Sequence, residues 1–327
     1  MYENFYGLSE RPFELTANPK FLFLNESQRE ALSTLQYGLF SAKSLTVLVG
    51  EPGTGKSTLI QAALESERCQ NVRGVYLNNP TLGPDDFIRL LAHKLDLGSE
   101  AGASKPVLLE RLETLLGDLH AAGQTTALIV DEAQGLSVET LEEIRLLANI
   151  ETRSAKLLPL VLAGQPELAE RLEEPKLRQL KQRVTLRAHL KPFALSDTAA
   201  YIASRVTIAG GKPTLMFTLD AVKMIHQYSG GIPRTINVIC DNALLNGMAV
   251  GRSRVDRACV LEVARDLWLA DATPTPSSSS QREPDVAELS PSSSGRSEDH
   301  SGTPPHLGHP LQRSVAAFRR RVGRIIE

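Results

Sequence analysis

The sequence predicts an α/β domain on a parallel sheet with helices on both faces, then a small all-helical domain and a disordered tail. Short apolar runs alternate with helical patterns up to about residue 192, which is typical of strands buried on both faces. From about residue 196 only helical patterns follow. Residues 271–312 then hold 10 serines and 7 prolines among 42 residues, too little apolar surface to offset the entropy of ordering them.

These changes divide the 327 residues into five segments. They are an N-terminal segment with a first helix (1–44), an α/β core (45–192), a helical domain (193–270), a Ser/Pro-rich linker (271–312) and a basic end (313–327). In the basic end, apolar residues recur at helical spacing among Arg319, Arg320, Arg321 and Arg324, which predicts an amphipathic helix. Solvent, a partner protein and peripheral contact with an anionic membrane all remain open as its surroundings.

Unbroken apolar runs predict four strands in the core and a fifth, weaker one. They are Leu45–Val49, Gly74–Leu77, Thr126–Val130, Leu158–Leu162 and Arg183–Leu186. Ser27 and Glu30 form a capping-box pattern ahead of leucines at helical spacing, which predicts the first helix. In the helical domain we expect helices at 196–209, 218–229, 233–249 and 255–269. Gly230 and Gly231 are expected to end the second of these.

The composition of the whole chain excludes several classes of protein. The 36 basic and 38 acidic side chains give a net charge of −2, which excludes a histone-like protein. The three cysteines show neither paired nor zinc-finger spacing, so a disulfide scaffold is not supported. No apolar run approaches the roughly 20 residues of a membrane span, and the first residues do not form a signal-peptide pattern. We therefore expect a cytoplasmic protein, with any contact to the inner membrane at its periphery.

Residues 50–57, Gly-Glu-Pro-Gly-Thr-Gly-Lys-Ser, match the phosphate-loop pattern between a predicted strand and a predicted helix. The glycines let backbone N–H groups converge on phosphate oxygens, and the helix adds its positive end. Lys56 is expected to reach the β- and γ-phosphates, and Ser57 to ligate Mg²⁺. The expected nucleotide-binding residues are Gly50, Glu51, Pro52, Gly53, Thr54, Gly55, Lys56, Ser57 and Thr58.

A second apolar strand, residues 126–130, ends in Asp131 and Glu132. In a phosphate-loop protein these acids have separate tasks: Asp131 is expected to hold Mg²⁺ with Ser57, and Glu132 to activate the attacking water. The chain contains no Asn-Lys-x-Asp signature for guanine, which favours ATP over GTP. The predicted cofactors are therefore ATP and Mg²⁺.

A third motif, Gly230-Gly231-Ile232-Pro233-Arg234, lies in the helical domain. It places Arg234 at the start of a helix, where a positive charge gains nothing from the helix dipole. An anionic ligand would explain the placement, and a surface arginine after a turn is the alternative.

Together these motifs resemble the AAA+ ATPases, specifically the family that contains the ATPase portion of general secretion pathway protein A. Transposition-helper ATPases are similar to it. The resemblance covers about residues 1–268 and also rests on residues 5–8 (Phe-Tyr-Gly-Leu), 18–22 (Asn-Pro-Lys-Phe-Leu) and 164–168 (Gly-Gln-Pro-Glu-Leu). It further rests on Pro12 and Phe13, which are expected to line the adenine pocket.

The resemblance implies roles for residues whose spacing alone assigns none. Arg234 would sense the γ-phosphate from the helical domain, which acts as a lid. Gln165 would orient the hydrolytic water, and a plain turn at the end of a strand is the alternative. Asn78 or Asn79 would be a polar switch that contacts the catalytic glutamate, and a plain Asn-Pro turn is the alternative.

The run from residue 176 to 191 holds six Lys or Arg residues and no acid. The resemblance implies that a neighbouring subunit donates an arginine finger from this run, with Arg183 as first choice and Arg178 as second. A solvated helix face and a track for DNA phosphates are the alternatives. A finger from a neighbour requires a homo-oligomer, so we expect ATP-promoted assembly into a ring.

The expected function is ATP hydrolysis that drives or licenses assembly of a larger complex, with a client protein in secretion or the envelope. The expected catalytic residues are Lys56, Glu132, Gln165, Arg183 and Arg234. The alternative is an ATP-dependent, DNA-binding regulator of the transposition-helper type.

Overall fold

The computed structural model describes residues 1–16, 18–78, 83–153 and 155–269. Five strands form one sheet: β1 (Leu45–Gly50), β2 (Val72–Leu77), β3 (Thr125–Val130), β4 (Leu160–Gly164) and β5 (Val184–Leu190). Across the sheet they lie in the order β2-β3-β4-β1-β5, and every neighbouring pair is parallel. The predicted parallel sheet is confirmed, and all its carboxyl ends lie at one edge, where ligands of such sheets bind.

The helices surround the sheet and then continue alone. In chain order they are α1 (Tyr2–Tyr6), α2 (Glu26–Phe40), α3 (Lys56–Leu64), α4 (Pro84–Lys94), α5 (Ser99–Ala103), α6 (Lys105–Ala121), α7 (Val138–Leu147), α8 (Pro166–Arg171), α9 (Arg178–Lys181), α10 (Leu195–Ile208), α11 (Pro213–Met216), α12 (Leu219–Ser229), α13 (Pro233–Ala249) and α14 (Arg257–Asp266). Within the described ranges, none of them has the length and apolar character needed to cross a bilayer.

The two faces of the sheet bury separate apolar clusters because successive strand residues point to opposite faces. Val47 and Val49 of β1 join one cluster with the buried faces of α4, α6 and α7. Leu48 between them joins the other cluster, which includes α2 and α3. The sheet is therefore covered by helices on both sides, as the unbroken apolar strands predict.

A third apolar cluster joins the helical domain to the N-terminal segment. Tyr2, Leu8, Phe13 and Phe21 are buried in it with residues of α10, α12, α13 and α14. The Tyr2 hydroxyl also donates a hydrogen bond to the carboxylate of Asp241 on α13. Tyr2, Leu8, Phe13 and Phe21 thus attach the N-terminal segment to the helical domain, whereas α2 packs on the sheet.

The capping box at the start of α2 differs from the prediction. Asn25 is the N-cap: its side chain accepts from the Gln28 N–H at 2.9 Å, and the Gln28 side chain accepts from the Asn25 N–H at 3.3 Å. The prediction that Ser27 and Glu30 form the box is wrong, because asparagine caps as well as serine and the helix starts two residues earlier. The Ser27 hydroxyl instead donates to the carbonyl of His189 at 3.2 Å.

Strand β5 is longer than the predicted Arg183–Leu186 and ends at Leu190. It is an edge strand of the sheet, and Thr185, Arg187 and His189 are exposed while Ala188 and Leu190 are buried. Such alternation interrupts an apolar run, so a search for unbroken runs ends the strand too early. Strand β4 also begins two residues later than predicted, at Leu160.

The remaining predictions of local structure are either confirmed or concern residues outside the described ranges. The four predicted lid helices are present within a few residues of their expected bounds, and α11 is an additional short one. Gly230 ends α12 with a left-handed φ of 57°, as expected of a glycine at that position. The predicted linker (271–312), the basic helix (313–327) and Asn79 lie outside the described residues.

Candidate nucleotide-binding site

The phosphate loop connects β1 to α3 at the carboxyl edge of the sheet. Gly55 precedes α3 with a left-handed φ of 97°, a conformation that favours glycine. The Lys56 side chain is buried, with 5% of the residue exposed, and its Nζ donates to the carbonyls of Gly50 at 2.8 Å and Glu51 at 3.3 Å. The loop thus holds the ammonium group at its centre, at the positive end of α3.

Ser57, in the first turn of α3, and Asp131, directly after β3, form a hydrogen bond with each other. The Ser57 Oγ donates to Asp131 Oδ2 at 2.7 Å, although the residues are 74 positions apart. Within the described residues, no group of three or more His, Cys, Asp or Glu side chains could hold a metal alone. One hydroxyl and one carboxylate suit Mg²⁺, because it prefers oxygen ligands and fills its other positions with water and phosphate.

Glu132 follows Asp131 with a left-handed φ of 53°, which is uncommon for a residue other than glycine. Its Oε2 accepts hydrogen bonds from Gln134 Nε2 at 2.6 Å and from Gln165 Nε2 at 3.2 Å. The hydrogen bond from Gln134 is the largest cause that lowers the pKa of Glu132, Gln165 and the charge of Lys56 lower it further, and burial opposes them. The carboxylate is therefore ionised at neutral pH and able to accept a proton.

Gln134 follows the two acids in residues 131–134 (Asp-Glu-Ala-Gln), and we predicted no role for it from the sequence. Its Oε1 accepts from the Gln165 N–H at 3.1 Å, so it connects Glu132 to the end of β4. Arg171 donates to the carbonyls of Gln134 at 2.5 Å and Leu136 at 2.6 Å, which fixes the backbone of this turn. Gln165 therefore lies beside Glu132, and its role in orienting water stays a prediction.

Arg234 of the helical domain contacts the phosphate loop directly. Its N–H donates to the Gly53 carbonyl at 3.2 Å. A Cβ atom at Gly53 would lie 2.7 Å from the Cβ of Arg234, so the approach requires glycine in the loop. Pro233 occupies the first turn of α13, where its missing N–H removes no helical hydrogen bond.

A cavity of about 430 Å³ lies between the core and the helical domain, and we call it the interdomain cavity. It brings most of the predicted site together, because the loop, the acidic strand end and the lid all contribute to its walls. The predicted residues that line it are Gly53, Thr54, Gly55, Lys56, Ser57, Thr58, Glu132 and Arg234. Asp131 and Gln165 adjoin it through their hydrogen bonds to Ser57 and Glu132.

Other predicted residues lie elsewhere. Gly50, Glu51 and Pro52 form the base of the loop and are not among the described residues that line the cavity. Arg178 and Arg183 are exposed and do not line the cavity either. An arginine outside its own cavity is the arrangement that donation to a neighbouring subunit would require.

The N-terminal wall of the cavity differs from the expectation for Pro12 and Phe13. Phe13 is 1% exposed, packs edge-on against the Phe217 ring and does not line the cavity. The wall instead consists of residues between Glu14 and Phe23, among them Leu15 and Phe21.

The lid wall includes three polar residues that sequence reasoning missed: Tyr201, Arg205 and Asn237. Asn237 could have been found from its position three residues after Arg234, which places both on one face of α13.

Asn78, one of the two candidates for the polar switch, is exposed. The hydrogen bonds that the Glu132 carboxylate accepts within the described residues come from Gln134 and Gln165.

Residues 39–172 match the family model described as an AAA domain. The chain contains an AAA domain. It is similar to general secretion pathway protein A of Aeromonas hydrophila, with 41% identity over 256 residues. That match covers 78% of this chain but 46% of the relative, so the chain spans about half the length of the curated relative. The resemblance that the motifs indicated is confirmed for this shared portion.

Solved structures confirm the fold of this protein. Cdc6p from Pyrobaculum aerophilum is similar with a TM-score of 0.62 and 20% identity, covering 78% of this chain and 70% of that one. The ORC2 protein of Aeropyrum pernix, solved as ADPNP–ADP complexes, gives 0.61 and 18%, covering 82% and 73%. The RuvB Holliday junction branch migration motor of Thermotoga maritima gives 0.52 and 16%, covering 79% and 74%.

Proposed function

We propose that this protein binds ATP with Mg²⁺ and hydrolyses it as a nucleotide-dependent homo-oligomer, driving or licensing assembly of a larger complex. One observation carries the proposal: Lys56, Ser57, Glu132 and Arg234 line a single cavity, although they come from two domains. A triphosphate in that cavity would meet two cations, Lys56 and Arg234, and an acid, Glu132. The relative's name, general secretion pathway protein A, supports a client in secretion or the envelope.

Each residue has a distinct task in the proposed reaction. The Lys56 ammonium binds the β- and γ-phosphates, and Ser57 and Asp131 hold Mg²⁺, which neutralises charge on the phosphate oxygens. The ionised Glu132 accepts a proton from the attacking water, which Gln165 helps to orient. Arg234 contacts the terminal phosphate, so the position of the lid depends on whether that phosphate is present.

Substitution of Glu132 separates binding from hydrolysis. We expect Glu132→Gln to bind ATP but to lower turnover by a factor of about 10² to 10³, because loss of a general base has effects of this size. Lys56→Ala is expected to lose ATP binding and assembly together. Exposed Glu170 does not line the cavity, so Glu170→Gln is the matched control and should resemble the wild type. Phosphate release and a nucleotide-dependent size measurement test both statements, and full turnover by Glu132→Gln would remove Glu132 from its role.

The arginine finger is testable by mixing two inactive variants. Arg183→Ala keeps its own catalytic acid but offers no finger, and Glu132→Gln keeps the finger but lacks the acid. In mixed oligomers, an Arg183→Ala site beside a Glu132→Gln subunit regains both groups, so activity should return. If Arg178→Ala is rescued and Arg183→Ala is not, Arg178 is the finger. Failure of both mixtures would contradict donation between subunits.

The DNA-binding alternative is favoured by one observation on β5. Arg187, His189 and Lys191 are exposed at the edge of the sheet, next to exposed Arg183. The Arg187 guanidinium lies 4.0 Å from the Glu173 carboxylate. This negative charge weakens the attraction of these basic residues for phosphates. Retention of duplex DNA that requires ATP and falls steeply with salt would favour this function over complex assembly. The absence of any retention at low salt would exclude it.

A further inference from the structure

Arg205 of α10 is a buried cation at the wall of the interdomain cavity. Only 6% of the residue is exposed, and its guanidinium lies 5.0 Å from the ring centre of Phe21 and 5.3 Å from that of Tyr201. Its Nη1 donates to the Tyr201 hydroxyl at 2.8 Å. Its buried Nε has no hydrogen-bond partner among the described residues. In that part of the chain its charge is met by two rings and one hydroxyl, without a carboxylate.

An unpaired buried donor of this kind is costly. Buried polar groups are normally hydrogen-bonded, and a buried charge is normally paired, since neither finds water in the interior. A ligand that accepts a hydrogen bond would relieve this cost when it occupies the cavity. Because a guanidinium has donors and no acceptor, the ligand atom must carry a lone pair.

The position of Arg205 identifies which part of a nucleotide it meets. Arg205 also lines a smaller adjoining cavity of about 200 Å³, and none of the described residues that line that cavity belongs to the phosphate loop. Glu3, Glu10 and Glu14 line it as well, against Arg11 and Arg205, so this end offers a phosphate no excess of positive charge. Arg205 therefore lies at the end of the interdomain cavity away from Lys56.

Aromatic side chains surround this end of the cavity. The rings of Phe23, Phe193 and Tyr201 pack edge-to-face, with centres 5.4 to 5.6 Å apart. Flat apolar walls with a few fixed polar groups are what a planar heterocycle requires. The chemistry of the cavity thus changes from phosphate-binding groups at the loop to base-binding groups at Arg205.

We propose that Arg205 recognises the base of the nucleotide, donating a hydrogen bond to a ring nitrogen of the adenine between the N-terminal segment and the lid. The inference rests on the proposed function, since it names a specificity residue for the same ATP site. The Tyr201 hydroxyl donates to Asn237 Oδ1 at 2.9 Å while it accepts from Arg205, so these contacts orient the guanidinium. Burial raises the pKa of Tyr201, which keeps this hydroxyl protonated and able to donate.

Two ligands separate base recognition from phosphate binding. The dissociation constants of full-length wild type and Arg205→Met are measured for ATP and for inorganic tripolyphosphate. We expect the variant to lose about tenfold or more in affinity for ATP and to keep its affinity for tripolyphosphate within about twofold, because hydrogen bonds from charged groups have effects of this size. Arg257→Met, an exposed lid arginine that does not line the cavity, should change neither value. Equal losses for both ligands, or no loss for ATP, would overturn the inference.

A second measurement needs no change at a buried position. The 1-, 3- and 7-deaza analogues of ATP each replace one ring-nitrogen acceptor by C–H. One analogue is expected to bind the wild type about tenfold more weakly than ATP, and to bind Arg205→Met as ATP does, because the same hydrogen bond is already absent. Binding of all three analogues to the wild type with full affinity overturns the inference even if Arg205→Met fails to fold. If the wild type binds neither ATP nor tripolyphosphate, the nucleotide site itself is contradicted.

Discussion

The two walls of the interdomain cavity are built in different ways. The α/β wall takes its groups from two short stretches, residues 53–58 and Glu132, whose places are set by the ends of β1 and β3. The lid wall combines residues 14–23 with Phe193, α10 and the start of α13, which are separated by up to about two hundred residues. The first wall therefore depends on local backbone geometry, and the second depends on packing between distant segments.

The substitution with the largest expected effect lies at the junction of the lid with the core. Gly231 has a φ of 75°, and a Cβ there would lie 2.1 Å from the carbonyl oxygen of Phe193. We expect Gly231→Ala to lower the free energy of unfolding by about 3 kcal/mol or more, because backbone strain and a backbone collision add. Gly230→Ala is the matched control: φ is 57° but nothing lies within 4 Å, so only about 1 kcal/mol is expected.

Urea denaturation of the wild type and both glycine variants measures the difference directly. Equal losses for Gly231→Ala and Gly230→Ala would mean that the contact with Phe193 does not hold the lid. The ATP affinity of folded Gly231→Ala should also fall, since both Phe193 and Arg234 adjoin this contact.

The next test concerns the attachment of the N-terminal segment to the lid. Tyr2 is buried, and both its burial and its hydrogen bond to Asp241 raise the pKa of its hydroxyl, so it stays protonated. Tyr2→Phe leaves Asp241 without this donor and should lower the free energy of unfolding by about 2 kcal/mol. Tyr37→Phe, at an exposed tyrosine on α2, should change it by less than about 0.5 kcal/mol. An effect of Tyr2→Phe as small as that of Tyr37→Phe would show that the hydrogen bond from Tyr2 to Asp241 does not hold the N-terminal segment to the lid.

The smallest effect is expected at Gln134 on the α/β wall. Its hydrogen bond is the main cause that lowers the pKa of Glu132, so Gln134→Met should raise that pKa. Glu132 must be ionised to accept a proton, so the acidic limb of the turnover profile should move to higher pH. At neutral pH the carboxylate stays ionised but is less well oriented, and turnover should fall about fivefold to tenfold.

A pH series of turnover for Gln134→Met and for Gln179→Met, an exposed glutamine on α9, checks this expectation. Coincident acidic limbs for the wild type and Gln134→Met would rule out the positioning role. A loss at neutral pH without a shift of the limb would contradict it as well, because loss of structure alone does not move a pKa.

The sequence predicted the sheet and the residues of the α/β wall because both depend on residues that are close together in the chain. Glycine is favoured where φ is positive, as at Gly55, and a buried strand that ends in acids needs no distant partner to be recognised. The error at the first helix has a local cause too. Asn25 with Gln28 and Ser27 with Glu30 both fit a capping pattern, and the structure uses the first of them.

The lid wall could not be predicted in the same way. Arg205 becomes a binding group only when Phe21, 184 positions earlier, is packed over it, and no spacing rule relates the two. Phe13 illustrates the converse, because an aromatic residue expected at the pocket is buried against Phe217. The length of edge strand β5 was underestimated for a related reason. One of its faces is exposed because the strand lies at the edge of the sheet, and the exposed residues interrupt the apolar run.

Helix α13 carries Arg234 and Asn237 three positions apart, and both line the interdomain cavity. After hydrolysis and phosphate departure, Arg234 would lose its counter-ion while the adenine still engaged the residues around Asn237. We therefore expect the diphosphate, which keeps the base contacts, to leave the site later than the phosphate does.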